Sequence, residues 1–483
     1  MKTNFVRLPF LLTTIALFTS AVTLKAQVYN LYHSFSPIKQ SGVTGAQTNQ
    51  DGGNDYAPLI VSGDTLYGAT SGGGTNGLGT IFKINTDGSA FSNIFKFTFI
   101  GGQPTNGDNG SDPQGRLTLS GNTLYGITYE GGLRTNYYGS IYAIQTDGSG
   151  FTNLHYFSTL KGKTNAEGAF PQTGLALASN SLYGVAYQGG RFGEGTVFAI
   201  NTDGSGFTNL YNFDGTNGAN PFARLCSVGS RLYGTTYDGG AFSNGVIFGI
   251  NDDGSGFTNY HNFSALSYPY STNVDGAHSQ SALEDDGNIL YGATALGGSG
   301  YGTLFSINTD GSGFTPFYYF NYYQGYSPYG QLLFTNNLLY GTTTGGGTNG
   351  TGTVFSISPG GSDHNVLYAF QKGVYSGSAY TNSSGFEPWA GVVMADNTLF
   401  GVTPTGGSGG SGTIYALTLA EATPIILGEQ TSGKYLILNW ANPAVILEAA
   451  SNVGGPYTPI PGATSPFTAG TTNPQQFFRL QTN

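Results

Sequence analysis

The sequence has few of the residues on which catalysis, metal binding and nucleic-acid binding depend. Only 9% of its 483 residues are charged, and it contains a single cysteine, Cys226. One cysteine cannot form a disulfide within the chain, so stability must come from packing. The net charge of −10 and the lack of a basic stripe argue against binding to nucleic acid or to an anionic membrane. The sequence also lacks a G-x-S-x-G elbow, an H-E-x-x-H motif and a Cys/His zinc spacing.

Long apolar runs are scarce as well, and the single one lies at the N-terminus. Lys2 and Arg7 precede an apolar stretch over residues 8–22, and Ala26 fits a cleavage site. This pattern predicts a secretory signal peptide over residues 1–26. The alternative is a retained membrane anchor, for which the run is short. We therefore expect an exported protein that is periplasmic, at the cell surface or extracellular, with no membrane span after cleavage.

The chain is rich instead in glycine, tyrosine and phenylalanine, with 79, 33 and 33 copies. A short phrase, Leu-Tyr-Gly or once Leu-Phe-Gly, recurs at intervals of 49 to 60 residues and ends at Gly68, Gly126, Gly184, Gly234, Gly292, Gly341 and Gly401. Such a period indicates a repeat architecture. Glycine inside a strand costs about 0.5–1 kcal/mol relative to alanine, so its recurrence predicts close approach of a ring or backbone. We expect that ring to come from a neighbouring stacked sheet.

Each repeat has the pattern of four short antiparallel strands. In the second copy these are residues 115–119, 123–128, 140–144 and 151–157, with a hairpin turn at Asp147-Gly148. The Asp-Gly turn recurs in five copies. Its surroundings lack the first and last acidic ligands of a calcium loop, so we interpret it as turn chemistry.

The phase of the repeats predicts a closed ring. The seventh copy stops after residues 412–417 without a fourth strand, and the missing pattern stands at residues 29–35. An N-terminal strand that completes the last sheet gives an all-β, seven-bladed β-propeller. The antiparallel hairpins argue against a β-helix. We expect the propeller over residues 27–420, followed by a small C-terminal β-sandwich-like module over residues 421–483.

The repeat, written LYGxTxxGGxxxxGTIFxIxxDGSxFxxLYxF, resembles the GloVer (Gloeobacter/Verrucomicrobia) tandem repeat of exported bacterial proteins over about residues 28–420. The seventh copy departs from it by lacking the Asp-Gly turn. The resemblance implies a repeat scaffold joined to varied C-terminal anchoring or sorting modules, and it implies no established activity. Residues 421–483 are similar to C-terminal β modules of secreted proteins from the same bacteria.

Candidate ligand-binding residues follow from the differences between the copies. The loops after the second strand carry bulk and charge in blades 2 to 4, at Tyr129, Glu130, Arg134, Tyr137, Tyr138, Arg191, Phe192, Glu194, Asp238 and Phe242. We hypothesise that they form a patch for a neutral or weakly charged polymer such as a glycan. The alternative is that they wedge between blades or decorate a solvated rim. A cell-surface protein is a further candidate partner.

The sequence favours a non-enzymatic binding or interaction scaffold. Glu130, Glu194 and Asp238 could serve as an acid–base pair only at a defined separation of about 5–10 Å, so a propeller-type polysaccharide hydrolase or lyase is the alternative. Three histidines occupy one repeat position that elsewhere holds phenylalanine or tyrosine, which predicts packing; they are His33, His155 and His261. We assign no catalytic residue, metal site or cofactor, and we expect a monomer.

Overall fold

The computed structural model describes residues 27–40, 47–98, 109–131, 138–376, 379–420, 428–432, 435–439, 445–450, 458–464, 467–470 and 477–482. The predicted leader, residues 1–26, lies outside them. The described chain divides into a unit at Tyr29–Thr418 and a C-terminal unit that begins at Leu419. No helix among the described residues is long and apolar enough to cross a membrane.

The larger unit contains seven four-stranded antiparallel sheets. In blade 1 the strands are Ile60–Ser62, Thr65–Thr70, Thr80–Asn85 and Ser92–Lys96. In blade 2 they are Thr118–Ser120, Thr123–Thr128, Ser140–Gln145 and Thr152–Tyr156. In blade 3 they are Ala176–Ala178, Ser181–Ala186, Thr196–Asn201 and Thr208–Asn212. In blade 4 they are Cys226–Val228, Arg231–Thr235, Val246–Asn251 and Thr258–Asn262.

The remaining blades repeat this order, which we call inner, second, third and outer strand. In blade 5 the strands are Glu284–Asp285, Ile289–Thr294, Thr303–Asn308 and Thr315–Tyr319. In blade 6 they are Leu333–Thr335, Leu338–Thr343, Thr353–Ile357 and Asn365–Ala369. In blade 7 they are Val393–Ala395, Thr398–Thr403, Thr413–Thr418 and, from the N-terminus, Val28–Ser34. Short hairpins lie at Lys39–Gln40 with Gln47–Thr48 and at Val374–Ser376 with Ala379–Thr381.

The N-terminal strand closes the ring as the sequence predicts. It is the outer strand of blade 7, and the backbone N–H of Phe35 donates to the Gly412 carbonyl at 3.1 Å. Phe97 and Gly79 make the same bond in blade 1 at 3.2 Å. The chain is therefore a seven-bladed β-propeller whose two ends share one sheet, which leaves no blade incomplete.

The recurrent glycine lies opposite an aromatic ring of its own blade. Gly184 pairs with Phe198 on the third strand, and a Cβ at Gly184 would overlap the Phe198 ring and lie 2.9 Å from a Leu175 methyl carbon. The close approach is as expected. Its source differs, because the ring comes from the adjacent strand of the same sheet and not from the next blade.

The hydrophobic core lies between the blades. A buried phenylalanine at the end of each outer strand packs on an aromatic ring of the next blade's third strand, as Phe157 does on Phe198 at 5.3 Å. Beside it, a stacked pair crosses every interface with centroids 3.6–4.6 Å apart: His33–Phe91, Phe95–Phe151, His155–Phe207, Tyr211–Phe257, His261–Phe314, Tyr318–His364 and Tyr368–Tyr29. The three histidines are thus packing residues, as their repeat position indicates.

Each of these three histidines also lies beside a carboxylate from the following linker, and His155 Nε2 is 3.3 Å from Glu167. His33 Nε2 lies 3.1 Å from Asp51, and His261 Nε2 lies 2.9 Å from Asp275. Burial acts to raise the pKa of both carboxyl groups. Hydrogen bonds from the histidines and from a nearby serine outweigh it, and hold the pKa of Asp51 and Asp275 below its usual value.

The C-terminal unit contains two three-stranded antiparallel sheets. One is formed by Gly428–Ser432, Tyr435–Asn439 and Phe467–Gly470, and the other by Thr458–Pro459, Val445–Ala450 and Phe477–Thr482. The sandwich-like packing expected for this segment stays a prediction.

Candidate functional site

Seven linkers carry the chain from each outer strand to the next inner strand and converge on the ring axis. At one equivalent position, each has a non-glycine residue with φ between 52° and 58°: Asn54, Asp112, Phe170, Asn220, His278, Ser327 and Glu387. In five linkers a proline follows it. Left-handed backbone is unusual for such residues, and its repetition indicates that one sharp turn is built into every blade.

Two positions after each turn, a side chain lines a central cavity of about 280 Å³. These seven residues, which we call the mouth ring, are Tyr56, Gln114, Gln172, Phe222, Gln280, Tyr329 and Trp389. The ring therefore combines four aromatic side chains with three primary amides. Because every blade supplies one member, the ring forms only when the propeller closes.

The aromatic members from blades 6, 7 and 1 form one continuous wall. Tyr329 stacks on Trp389 with centroids 4.4 Å apart and planes 5° apart. Tyr56 meets the edge of Trp389 at 6.0 Å and 85°. Blades 2, 3 and 5 provide the glutamines, and blade 4 provides Phe222. One side of the mouth thus offers ring surface, while the rest offers hydrogen-bond donors and acceptors.

Two arginines lie below the mouth ring, where other blades place proline, glycine, alanine or glutamine. They are Arg116 and Arg224, and both line the cavity. Burial, together with the like charge of Arg116, lowers the pKa of Arg224 to about 10. Burial also lowers the pKa of Arg116, although Glu284 opposes this shift. The cavity floor is therefore cationic.

The two arginines differ in their hydrogen bonds. Arg224 donates from Nε to the Leu175 carbonyl at 2.9 Å. The Nε of Arg116 is buried, and no group among the described residues accepts a hydrogen bond from it. Such an unpaired buried donor is costly, and it marks a place where a ligand oxygen could bind.

A smaller cavity of about 80 Å³ continues below the floor, and Arg116 lines both cavities. Its acidic residue is Glu284, which accepts hydrogen bonds from the Gln331 side chain at 2.9 Å and from the Phe334 backbone at 3.2 Å. Burial raises the pKa of Glu284 above its usual value. These bonds fix the carboxylate as part of the channel wall.

None of the eight predicted ligand-binding residues that the structure describes lines the cavity, but some lie behind the mouth ring. The Tyr129 ring packs on Phe170 at 5.2 Å, and its hydroxyl group hydrogen-bonds the mouth-ring side chain Gln172. Tyr138 meets the same Phe170 at 5.3 Å. Asp238 lies 3.4 Å from Nδ1 of His278. These residues therefore support linkers.

Other predicted residues lie at the outer rim. The Arg191 backbone N–H donates to Asn212 on the outer strand at 2.8 Å, and the Arg191 guanidinium lies 5.3 Å from the Phe192 ring centroid. Phe192 and Phe242 are about half exposed. Glu130 is exposed and Glu194 is half-buried. Arg134 and Tyr137 lie outside the described residues.

The sequence reasoning overlooked the mouth ring and the floor arginines. A signal was present, because a short Pro-X-Gly or Pro-X-Ala motif precedes most inner strands and its middle residue varies, as at Pro113-Gln114 and Pro388-Trp389. It also overlooked a tyrosine-rich surface of blades 5 and 6, where Tyr268 and Tyr323 are 84% and 81% exposed.

The described part of the chain contains no group of three or more His, Cys, Asp or Glu residues placed to hold a metal ion. Cys226 is buried beside Asp285, with 3.5 Å between Sγ and a carboxylate oxygen. Burial and this carboxylate raise the pKa of the thiol, so Cys226 stays protonated and unreactive at neutral pH.

A closed ring of seven repeated sheets around a lined channel defines a tandem-repeat β-propeller. The chain belongs to the Gloeobacter/Verrucomicrobia repeat family, which matches residues 28–166, 97–275, 231–383 and 268–431. A comparison with curated protein sequences finds no match.

Several solved structures are similar in fold at low identity. An oligogalacturonate lyase in complex with manganese is 11% identical with a TM-score of 0.48, over 83% of this chain and 98% of that one. A family 25 polysaccharide lyase, an ulvan lyase bound to a saccharide, is 10% identical with a TM-score of 0.45, over 79% and 96%. A puromycin-hydrolysing peptidase of Mycobacterium tuberculosis is 10% identical with a TM-score of 0.46, over 84% and 62%. These likenesses concern the fold and carry no inference about activity.

Proposed function

We propose that the protein is an exported, non-enzymatic binding scaffold that holds a saccharide at the mouth of the propeller channel. The observation that carries the proposal is the mouth ring, in which four aromatic side chains and three glutamines surround one cavity. Export is supported by the leader pattern of residues 1–26.

The chemistry of the ring suits a sugar. Aromatic faces such as those of Trp389 and Tyr329 pack on the C–H faces of a pyranose and bury area at low entropic cost. Each glutamine amide donates and accepts, as sugar hydroxyl groups require. A cavity of about 280 Å³ is near the lower end of small-molecule sites, which span about 300–1,000 Å³. This size suits a chain end or a single side-branch sugar.

Binding is favoured over hydrolysis or elimination by the location of the predicted acids. Glu130, Glu194 and Asp238 do not line the cavity. The acid in the deeper cavity, Glu284, is held by two hydrogen bonds from the channel wall. Catalysis at the mouth would need an acid and a base in reach of the bound sugar. Asp112 and Glu387 lie beside Tyr56, but they do not line the cavity either.

The test compares the mouth with the rim. The purified mature protein is passed over immobilised plant and algal polysaccharides, and both retention and newly released chain ends are measured. We expect retention without release, and at least a tenfold loss of retention for Trp389→Ala. The matched control, Phe192→Ala with Phe242→Ala, removes exposed rim aromatics and should bind normally. Loss of retention in the rim variant alone would show that the saccharide binds at the outer rim and not at the channel mouth. Newly released polysaccharide chain ends would show that the protein is an enzyme.

The C-terminal unit is proposed to sort or dock the exported chain. The support is its resemblance to C-terminal modules of secreted proteins. A variant without residues 421–483 should shift from the cell fraction to the medium. An unchanged distribution would remove this role and leave the binding proposal intact.

A further inference from the structure

We propose that the channel selects acidic saccharides, whose carboxylate or sulfate group is bound by Arg116 and Arg224 beneath the mouth ring. The inference rests on the proposed function, because the mouth ring must hold the sugar whose anionic group the arginines reach. The inference specifies acidic saccharides, whereas the residues of the mouth ring alone do not distinguish acidic from neutral sugars.

The fold does not require arginine at this level of the channel. The corresponding positions of the other blades hold Pro58, Gly174, Ala282, Gln331 and Gly391. Gly174 is also necessary, since a Cβ there would overlap the backbone carbonyl oxygen of Arg116. The inner strands of blades 2 and 3 are thus packed closely around the Arg116 backbone. A long cation in this narrow place indicates a role other than packing.

Two buried polar atoms of residues that line this cavity lack a hydrogen-bond partner among the described groups. They are Nε of Arg116 and Oγ1 of Thr173, and both residues line the cavity. An anionic oxygen can accept from both a guanidinium and a hydroxyl group. Charge-assisted bonds of this kind are stronger than bonds to neutral hydroxyl groups. The free donors therefore match an acidic ligand better than a neutral one.

The charges around the cavity floor also favour an anionic ligand. Burial and then the like charge of Arg116 lower the pKa of Arg224, and the carboxylate facing Arg116 is Glu284. Glu284 already accepts from Gln331 and Phe334. Asp112 and Glu387 lie nearer the mouth, beside Tyr56, and burial raises the pKa of both. The charged residues that line the two cavities are thus two arginines and one carboxylate, a net positive charge that an anion would neutralise.

The experiment uses an oligoglucuronate, the same oligosaccharide with its carboxyl groups reduced to alcohols, and inorganic sulfate, all at constant ionic strength. Affinities are measured by calorimetry on the full mature chain. We expect the acidic oligosaccharide to bind at least tenfold more tightly than its neutral counterpart, and sulfate to compete with it. Arg116→Gln should abolish this preference by lowering the affinity for the acidic oligosaccharide at least tenfold.

Two further measurements, a melting temperature and an affinity, distinguish an anion site from a structural role of Arg116. Arg116→Gln should melt at the same or a higher temperature without ligand, because it removes a buried like charge. Glu284→Gln should raise affinity for the acidic oligosaccharide several-fold by removing the opposing carboxylate. If Arg116→Gln does not fold, the affinity of Glu284→Gln for the acidic oligosaccharide still tests the anion site.

The outcomes distinguish this inference from the proposed function. Equal binding of acidic and neutral oligosaccharides, with no competition by sulfate, would overturn the anion site and leave saccharide binding standing. Binding of sulfate with no binding of either oligosaccharide would retain the anion site and overturn saccharide binding. Failure of all three probes to bind would overturn both.

Discussion

At the scale of single residues, Gly184 and its six equivalents leave room for an aromatic ring from the adjacent strand of the same blade. The Phe198 ring occupies the space that a side chain at Gly184 would need, and Leu175 closes the other side. The sequence reveals this constraint because it repeats seven times. It does not reveal which ring is involved, since a strand pattern does not distinguish a cross-strand neighbour from a residue of the next sheet.

Substitution of Gly184 by alanine is therefore expected to destabilise the propeller by about 1–3 kcal/mol through overpacking. Gly360 provides the control, because a Cβ there meets nothing within 4 Å. Chemical denaturation of Gly184→Ala and Gly360→Ala measures the difference. Equal stability of the two variants would show that the blade relaxes freely around the glycine.

His364 predicts a particular dependence of stability on pH. Burial against Tyr318 lowers its pKa from 6.5 to about 4. The unfolded chain binds the proton first as pH falls, so this contribution to stability is present above pH 6.5 and is lost between pH 6.5 and 4. Phenylalanine occupies the same position in five other interfaces, at Phe91, Phe151, Phe207, Phe257 and Phe314.

The variant His364→Phe should keep the stacking and remove the titration. Its melting temperature should exceed that of the natural protein increasingly as pH falls from 6.5 to 4. The measurement is thermal unfolding of both proteins across this range. A constant difference between the two curves would mean that His364 titrates normally in the folded protein.

At the scale of elements, the N-terminal strand Val28–Ser34 is the part of the ring that the sequence places best. The phase of the repeats assigns it to the last sheet, and its pairing with Thr413–Thr418 confirms that assignment. The linkers are harder to interpret. Their left-handed turns involve Asn, Asp, Phe, His, Ser and Glu, so no residue type identifies them in the sequence.

Removal of residues 1–35 should leave Thr413–Thr418 as an unpaired edge and open the space filled by Phe35. We expect a fall in melting temperature and association between copies. A synthetic peptide of residues 27–36 added during refolding should restore the monomer by strand addition, whereas a scrambled peptide should not. A truncated chain that stays monomeric and melts normally would contradict closure through this strand.

At the scale of the whole molecule, the number of blades follows from the repeats, but the candidate site does not. Neighbouring members of the mouth ring, such as Gln114 and Gln172, are separated along the chain by a whole repeat and meet only around the closed axis. The differences between the repeats instead predict a site at the bulky rim residues Arg191 and Phe192. The sequence repeats reveal the propeller scaffold, whereas the residues that come together at its axis become apparent only in the folded ring.

Trp389 provides the most direct test of saccharide binding at the channel mouth, because the chain has only two tryptophans and the other is Trp440. In a Trp440→Phe variant, fluorescence reports on the channel mouth alone. Titration with a polysaccharide that the protein retains should shift or quench this emission in a saturable way, with the same affinity as retention. Saturable retention with no change in Trp389 emission would contradict binding at the channel mouth.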